Sequence, residues 1–299
     1  MWTGNTATGT LDILPEADYQ LQPACPWCQP AAGARSSSRA RRAATRSGSG
    51  TPAPSPAELW LTGAQGSGHL LITDGQGQQM GYSNGQLLQN IPGGYASEIA
   101  GGLGVETEPN YTLPLTQTYP SIALSNAQSA LIDLTQFGPG YADGISGLLP
   151  AEAGDQAQFA NDGTQLAYRP HGTRSVTLTL AFSSTGSQQI AIGSAGVGAG
   201  QALTTTNNLA AGTLAFSERN AGGGTYTLSF QRQTATGTQI FWATGIAIAA
   251  TDTHVVDYGA WSGQGPMTIG VEHGSNGTIA QTLTVPNQEV SVYLPLLEH

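Results

Sequence analysis

The second half of the chain alternates hydrophobic and polar residues with a period of two. Between Arg174 and Phe182, the apolar residues Val176, Leu178 and Leu180 are each followed by Thr or Ala. Such alternation places one row of side chains towards a core and the other towards water. The same pattern recurs at Ile190/Ile192, Leu214/Phe216, Tyr226/Leu228/Phe230, Ile246/Ile248, Met267/Ile269/Val271 and Leu283/Val285. It predicts a series of antiparallel β-strands.

Clusters of Gly, Asn, Asp and Ser separate these strands at intervals of roughly 8–14 residues, a spacing typical of sandwiches and barrels. No helical periodicity is sustained over three turns. The predicted fold is therefore all-β, with antiparallel β-sandwich domains of an immunoglobulin-like or jelly-roll-like kind, and two domains are expected. We place a C-terminal β-sandwich at residues 156–287 and an N-terminal β-domain with long loops at residues 57–155.

The N-terminal domain has fewer strand signals. Segments 57–62, 69–73, 120–124 and 130–135 read as strands, and an Asp74-Gly75 turn signal follows the second. Residues 76–118 are rich in Gly and Pro with little periodicity, which predicts long loops carrying short strands.

The two ends of the chain differ from the body. Residues 1–56 are interpreted as a flexible leader, since residues 23–56 form a low-complexity stretch with few apolar anchors. At the other end, residues 288–299 are interpreted as a terminal strand followed by a tag remnant. The segment from Val290 to Leu296 alternates as a strand and is a candidate for pairing with the open edge of a neighbouring chain.

Charge is scarce and mostly negative. Of 299 residues, 9 are Lys or Arg and 19 are Asp or Glu, for a net charge of −10. Beyond residue 50, four arginines oppose sixteen acids, so a row of phosphates cannot be neutralised and nucleic-acid binding is not expected. No apolar run approaches the ~18 residues of a membrane-spanning helix. Neutral polar surfaces of this kind are typical of exported proteins, which favours a secreted or cell-surface location, although residues 1–4 do not match the basic and apolar start expected of a signal peptide.

Two stretches resemble modules in the C-terminal parts of large secreted or cell-surface bacterial proteins. Residues 72–92 are similar to a segment with spaced Asp, Gly and Gly-Tyr positions that ends in Ile-Pro. The matching residues are Asp74, Gly77, Gly81, Tyr82, Ile91 and Pro92. Residues 251–285 are similar to a closing motif with Thr/Asp-His, Trp and an acidic turn. The resemblance implies an appended extracellular all-β module and no activity.

The acidic turn of that motif is a possible calcium site in the resembling modules. Ca²⁺ takes six to eight oxygen ligands and favours several carboxylates. The segment from Glu272 to Gly277 keeps one carboxylate, so an Asn276-Gly277 hairpin turn between Val271 and Ile279 is favoured over a metal site.

Ser83 is the only candidate nucleophile that fits a motif. Residues 81–85 match G-x-S-x-G, the elbow at which a serine hydrolase presents its nucleophile between a strand and a helix. The preceding residues are polar and Gly-rich, and no βαβ alternation is present. A turn is therefore favoured over a triad of Ser83 with an Asp and His171, His254 or His273.

Other chemistry-bearing residues lack the context their chemistry requires. Cys25 and Cys28 have no further cysteine or nearby histidine with which to complete a zinc site. Five arginines between residues 35 and 46 are diluted by Ala, Ser and Thr, as in a solvated tail. His254 and Asp257 lie three residues apart, which on a strand puts them on opposite faces. No cofactor or metal is expected.

Aromatic residues are the remaining candidates for binding, because a flat ring covers the apolar face of a sugar. The candidates are Trp60, Trp242, Trp261, Tyr226 and Tyr258. Tyr226 shares a row with Leu228 and Phe230, which predicts a core position. Trp261, flanked by Gly259 and Gly263, is predicted to face a ligand, with Tyr258 beside it.

The function predicted from the sequence is that of a non-catalytic extracellular structural or interaction module of a bacterial surface protein. Self-association through the terminal strand is its expected mode of action. The alternative is a carbohydrate-binding module of a larger secreted enzyme, with a polysaccharide as partner. A serine hydrolase is the remote third hypothesis.

Overall fold

A computed structural model describes most of the chain beyond residue 56. The described residues are 2–5, 10–13, 57–63, 68–97, 108–115, 119–125, 132–148, 155–183, 186–194, 196–219, 221–274 and 277–288. Within these ranges the backbone forms strands, turns and bends, and no helix occurs, so none is long and apolar enough to cross a membrane. The all-β prediction is confirmed.

The described residues form 22 strands. In chain order they are β1 (Trp2–Asn5), β2 (Thr10–Ile13), β3 (Ala57–Gly63), β4 (His69–Thr73), β5 (Gln79–Ser83), β6 (Gln86–Gln89), β7 (Tyr95–Ser97), β8 (Asn110–Leu113), β9 (Tyr119–Ser125), β10 (Ile132–Gly138), β11 (Tyr141–Leu148), β12 (Gln156–Phe159), β13 (Gln165–Arg169), β14 (Thr177–Phe182), β15 (Gln188–Ser194), β16 (Leu203–Asn208), β17 (Thr213–Glu218), β18 (Gly224–Thr234), β19 (Gly237–Ile248), β20 (Asp252–Asp257), β21 (Met267–His273) and β22 (Ile279–Val285).

The strands from β3 onwards belong to two large antiparallel sheets. The nine-stranded sheet has the order β19-β18-β15-β14-β11-β10-β3-β8-β7. The eleven-stranded sheet has the order β22-β21-β20-β17-β16-β13-β12-β9-β4-β5-β6. Strands β1 and β2 form a separate two-stranded sheet.

Consecutive hairpins enter the two sheets alternately. Hairpins β10–β11, β14–β15 and β18–β19 join the nine-stranded sheet, whereas β12–β13 and β16–β17 join the eleven-stranded one. Both sheets therefore grow in the same direction along the chain. Strand pairing also joins the two predicted domains across their boundary at residues 155–156, since β11 pairs with β14 and β9 pairs with β12. The division into two domains at this point stays a prediction.

One hydrophobic core lies between the sheets and extends from Leu70 to Val285. The predicted alternation explains it, because the residues expected to face inwards form rows across neighbouring strands. In one row, Leu180 pairs with Ile190, Ile190 with Phe230, and Phe230 with Phe241. All four are fully buried. Burial of apolar surface in such rows is the main contribution to the stability of a sandwich.

One turn and one hairpin expected from the sequence are present. Asn84 (φ 51°) and Gly85 (φ 75°) connect β5 to β6. Positive φ at both central residues is the mark of a type I′ turn, which matches the twist of the flanking strands. Strands β21 and β22 also pair as a hairpin, with Met267 opposite Val285, although residues 275–276 at its turn lie outside the described residues.

Several sequence predictions fall on residues that are not described. They concern Cys25, Cys28, the arginines between residues 35 and 46, the segment from Val290 to Leu296, and the side chain of Trp60.

Candidate functional site

A cleft of about 540 Å³ lies between the β16–β17 turn and the end of β18. Residues 209–212 of the turn line one side, and Arg232, Gln233 and Thr234 line the other. Phe182, Gln188, Tyr258 and Gly259 complete the lining. Since β16 and β17 belong to one sheet and β18 to the other, residues of both sheets line the cleft.

Arg232 is the cation of this cleft, and its guanidinium is held in place on one side. Its Nε and Nη2 donate to Gln239 Oε1 at 3.0 and 2.6 Å, and Nη2 also donates to the carbonyl of Trp261 at 3.1 Å. The guanidinium carbon lies 5.8 Å from the Trp261 ring centroid, a cation–π distance. These contacts fix the orientation of a side chain that would otherwise have several free torsions.

The hairpin register supplies the acceptor for Arg232. Arg232 is directly opposite Gln239 in the β18–β19 ladder. Gly263 then leaves room for the Gln239 amide, because a Cβ at residue 263 would lie 2.1 Å from Gln239 Nε2. Gly263 has φ +93°, which other residues rarely adopt. The glycine that the sequence analysis linked to exposure of Trp261 therefore makes room for the side chain that orients Arg232.

Arg232 has no carboxylate counter-ion among the described residues. The ion pairs found there join His69 to Glu108, Arg174 to Asp155, and His273 to Asp252. Arg232 is thus an unpaired positive charge in a chain of net charge −10.

The two predicted ligand-binding residues are both buried. Trp261 is 4% exposed, and its ring packs edge-on against Phe230 and Phe241 with centroids 5.7 and 5.9 Å apart. Tyr258 is 3% exposed but lines the cleft, and its hydroxyl donates to Asn207 Oδ1 at 2.8 Å. Burial raises the pKa of Tyr258 to about 12, so the hydroxyl stays protonated at neutral pH. Ligand binding by these residues stays a prediction, and the cleft favours Tyr258.

The other aromatic candidates divide between core and surface. Tyr226 is 1% exposed, as its position in an alternating row predicted. Its hydroxyl oxygen lies 2.9 Å from His254 Nδ1. Trp242 on β19 is half-buried.

Comparison with known proteins adds no relative. The chain has no significant match to a protein-family model, a curated protein or a solved structure.

A second polar cluster lies at the other end of the sheets. Glu108 Oε2 lies 2.8 Å from His69 Nδ1, while Glu108 Oε1 accepts from Tyr111 Oη at 2.6 Å and from the Leu70 amide at 2.8 Å. Burial raises the pKa of Glu108, and the hydrogen bonds from Tyr111, His69 and Leu70 oppose that rise. No local sequence signal indicates this cluster, since His69 and Glu108 are 39 residues apart.

Ser83 lies near this cluster without joining it. It ends β5, and after the Asn84-Gly85 turn the chain continues as β6, so the described backbone at this point is strand–turn–strand. His69 stacks on Tyr82, with centroids 4.2 Å apart, and no hydrogen bond joins His69 to Ser83 among the described residues.

A third cluster surrounds a fully buried carboxyl group. Asp143 on β11 is 1% exposed and lies opposite Gln136 on β10. Gln136 donates to the Ala160 carbonyl at 2.8 Å, which connects it to the β12–β13 turn. Neither oxygen of Asp143 has a hydrogen-bond partner, and Gln136 Oε1 has none either. Burial, together with the nearby charge of Asp162, raises the pKa of Asp143 well above its ordinary range.

His254 and Asp257, which the sequence disfavours as a metal pair, are not brought together. The side chain of His254 is buried in the core, whereas Asp257 is only half-buried and caps the amide of Ala260 at 3.0 Å. His273 Nδ1 lies 2.7 Å from Asp252 Oδ1. Among the described residues, no group of three or more His, Cys, Asp or Glu side chains is placed to hold a metal ion.

Proposed function

We propose that the protein is a non-catalytic interaction module of a secreted or cell-surface protein, and that it associates with copies of itself by strand pairing. The neutral polar composition supports the location, and the resemblance of residues 72–92 and 251–285 to modules of bacterial surface proteins supports the class. The observation that carries the mode of action is at the outer edge of β19.

Strand β19 lies at one edge of the nine-stranded sheet. After β22, residues 287 and 288 contact this edge. Asn287 accepts from the Trp242 amide at 3.0 Å and donates to the Ile240 carbonyl at 3.0 Å. The Gln288 amide then donates to the Trp242 carbonyl at 2.8 Å. Edge groups between residues 240 and 244 of β19 are therefore engaged by residues 287 and 288 of the same chain, and the segment from Val290 to Leu296 follows directly in the sequence.

Pairing of that segment with β19 of a second copy would extend the sheet between molecules. Ile240 is 58% exposed on this strand, so an added strand would also cover apolar surface. Sheet edges are sites of strand addition, and the added strand would pair with β19 beyond the groups that residues 287 and 288 of the same chain engage.

The experiment is sedimentation analysis over a range of protein concentrations. The full chain is compared with a truncation after Gln288 and, as the matched control, with a truncation after Leu296. We expect the full chain and the control to self-associate and the shorter truncation to remain monomeric. A full chain that is monomeric at every concentration would refute the proposal.

Carbohydrate binding is the second candidate function, and the cleft beside Tyr258 is the observation that favours it. Its volume lies in the range of about 300–1,000 Å³ that is typical of small-ligand sites. A glycan array tests this candidate with the wild type and with Tyr258→Ala and Trp261→Ala. Binding by the wild type that is lost in Tyr258→Ala would support it.

The hydrolase alternative is tested separately. We expect no turnover in an ester-substrate screen, and turnover that disappears in Ser83→Ala would overturn the non-catalytic proposal.

A further inference from the structure

We propose that the cleft between the β16–β17 turn and the end of β18 binds the carboxylate of an acidic sugar, a uronic acid residue on an otherwise neutral glycan. Arg232 is the residue that binds it. This inference rests on the second candidate function and gives it a ligand class; it does not depend on strand pairing.

The guanidinium of Arg232 has donors left for a ligand. Arginine carries five N–H donors in a planar fork. The contacts with Gln239 and Trp261 use the Nε and Nη2 groups. Nη1 makes no hydrogen bond within the described part of the chain, so its two N–H groups remain for an anion.

The partners of Arg232 orient it without neutralising it. Gln239 and the Trp261 carbonyl are neutral acceptors, whereas a salt bridge would cancel the charge that a ligand needs. The faces of Phe230 and Trp261, at 6.0 and 5.8 Å, shield the guanidinium from water on one side. Weak hydration and fixed orientation together favour a guanidinium as a carboxylate-binding group.

The net negative charge of the chain disfavours ligands that carry many negative charges. With a net charge of −10, the protein repels long polyanions, because their further charges would meet an acidic surface. A ligand with a single negative charge avoids this repulsion and still gains the contact with Arg232.

The rest of the lining suits a sugar ring. The cleft has a volume of about 540 Å³, and Gln188, Gln233 and Thr234 contribute neutral amide and hydroxyl groups. The alanines of the β16–β17 turn and Leu209 contribute apolar surface. Neutral hydrogen-bonding groups match sugar hydroxyls, and apolar surface matches the C–H face of a pyranose.

The test compares two ligands that differ in one group, a carboxylate in one and an uncharged amide of similar size in the other. Methyl β-D-glucuronide and its uncharged amide are titrated separately into the ¹⁵N-labelled full chain, followed by NMR. We expect the carboxylate to bind at least tenfold more tightly than the amide, with shift changes at the cleft, and to weaken as salt is added.

Two variants test the role of Arg232. Arg232→Gln removes the charge, and Gln239→Glu keeps an acceptor opposite Arg232 while neutralising it. Both are expected to lose the preference for the carboxylate. Arg169→Gln makes the same charge change at an exposed position on β13 and is expected to keep it. The spectra of the free variants report whether each is folded.

The outcomes separate this inference from the candidate function on which it rests. Equal binding of carboxylate and amide would overturn the ligand class while leaving carbohydrate binding intact. A carboxylate preference that survives in a folded Arg232→Gln or Gln239→Glu variant would overturn the role of Arg232. Absence of binding of either sugar, combined with a blank glycan array, would overturn both.

Discussion

Two buried regions of the molecule differ in what they bury. One is a cluster of aromatic rings around Trp261, and the other is a carboxyl group without a hydrogen-bond partner, that of Asp143. Trp261 packs edge-on against Phe230 and Phe241, and Phe230 also packs against Tyr258. The polar atoms of the two polar rings are satisfied: Trp261 Nε1 donates to the Gly265 carbonyl at 3.2 Å, and the Tyr258 hydroxyl donates to Asn207. Around Asp143, on the same inner face of the same sheet, both carboxyl oxygens lack a partner. One region stabilises the fold through packing, whereas the other carries an electrostatic cost.

Burial alone does not decide what a polar side chain contributes to the stability of the fold. Glu108 is also buried, at 7% side-chain exposure, yet three hydrogen bonds reach its oxygens. An unpaired buried carboxylate is unfavourable and tends to hold its proton. Asp143 is therefore neutral over a wider pH range than a partnered carboxyl group.

Truncation of the aromatic cluster has the largest expected effect. Trp261→Ala removes a ring that packs against Phe230 and Phe241, and it leaves a cavity. We expect the free energy of unfolding to fall by about 3–5 kcal/mol, as for other large-to-small core substitutions. Chemical denaturation measures it. The control is Trp242→Ala, which removes a half-buried ring and should cost clearly less. Equal losses would show that Trp261 is not a core residue.

Removal of the ionisable group at Asp143 should change the stability in the opposite direction. Because the folded pKa lies above the ordinary 3.8, the folded state binds a proton that the unfolded state releases. Stability is therefore lost as the pH rises above about 3.8 towards the folded pKa. Asp143→Asn should raise the free energy of unfolding at pH 7 by about 2 kcal/mol and leave it almost unchanged at pH 3.

Urea denaturation at several pH values tests this prediction. The control is Glu272→Gln, which removes a carboxyl group at a half-buried position of β21. A destabilised Asp143→Asn variant at pH 7 would mean that the carboxylate has a partner that compensates its burial.

A smaller effect is expected at His254, with the opposite pH dependence. Burial lowers the pKa of His254 below the ordinary 6.5, although Asp252 opposes the shift. The unfolded state thus binds a proton that the folded state does not, so stability falls as the pH drops below about 6.5. His254→Gln keeps an acceptor for Tyr226 and should reduce that loss by about 1 kcal/mol. Denaturation at pH 5 and 7 measures it, and an unchanged acid slope would count against a neutral, buried His254.

Local sequence signals predicted the strands well because each depends on a few neighbouring residues. The alternating segment that ends at Phe182 forms β14, and Asn84-Gly85 forms a turn. The pairing of Arg232 with Gln239 could also have been predicted from local sequence, because a turn at residues 235–236 places the two residues opposite each other. Gly263 instead suggested an exposed Trp261, because glycines on both sides of a ring are typical of a loop.

By itself, the sequence determined the class of fold and the inward rows of the strands, since alternation and turn chemistry act over a few residues. The tertiary structure decided which strands pair, and hence which distant side chains meet. Glu108 reaches His69 only because β8 and β4 lie in facing sheets, and Arg232 becomes an unpaired cation in a cleft only because the β16–β17 turn closes its other side. Contacts between sheets depend on the order of all the strands, which no short segment encodes.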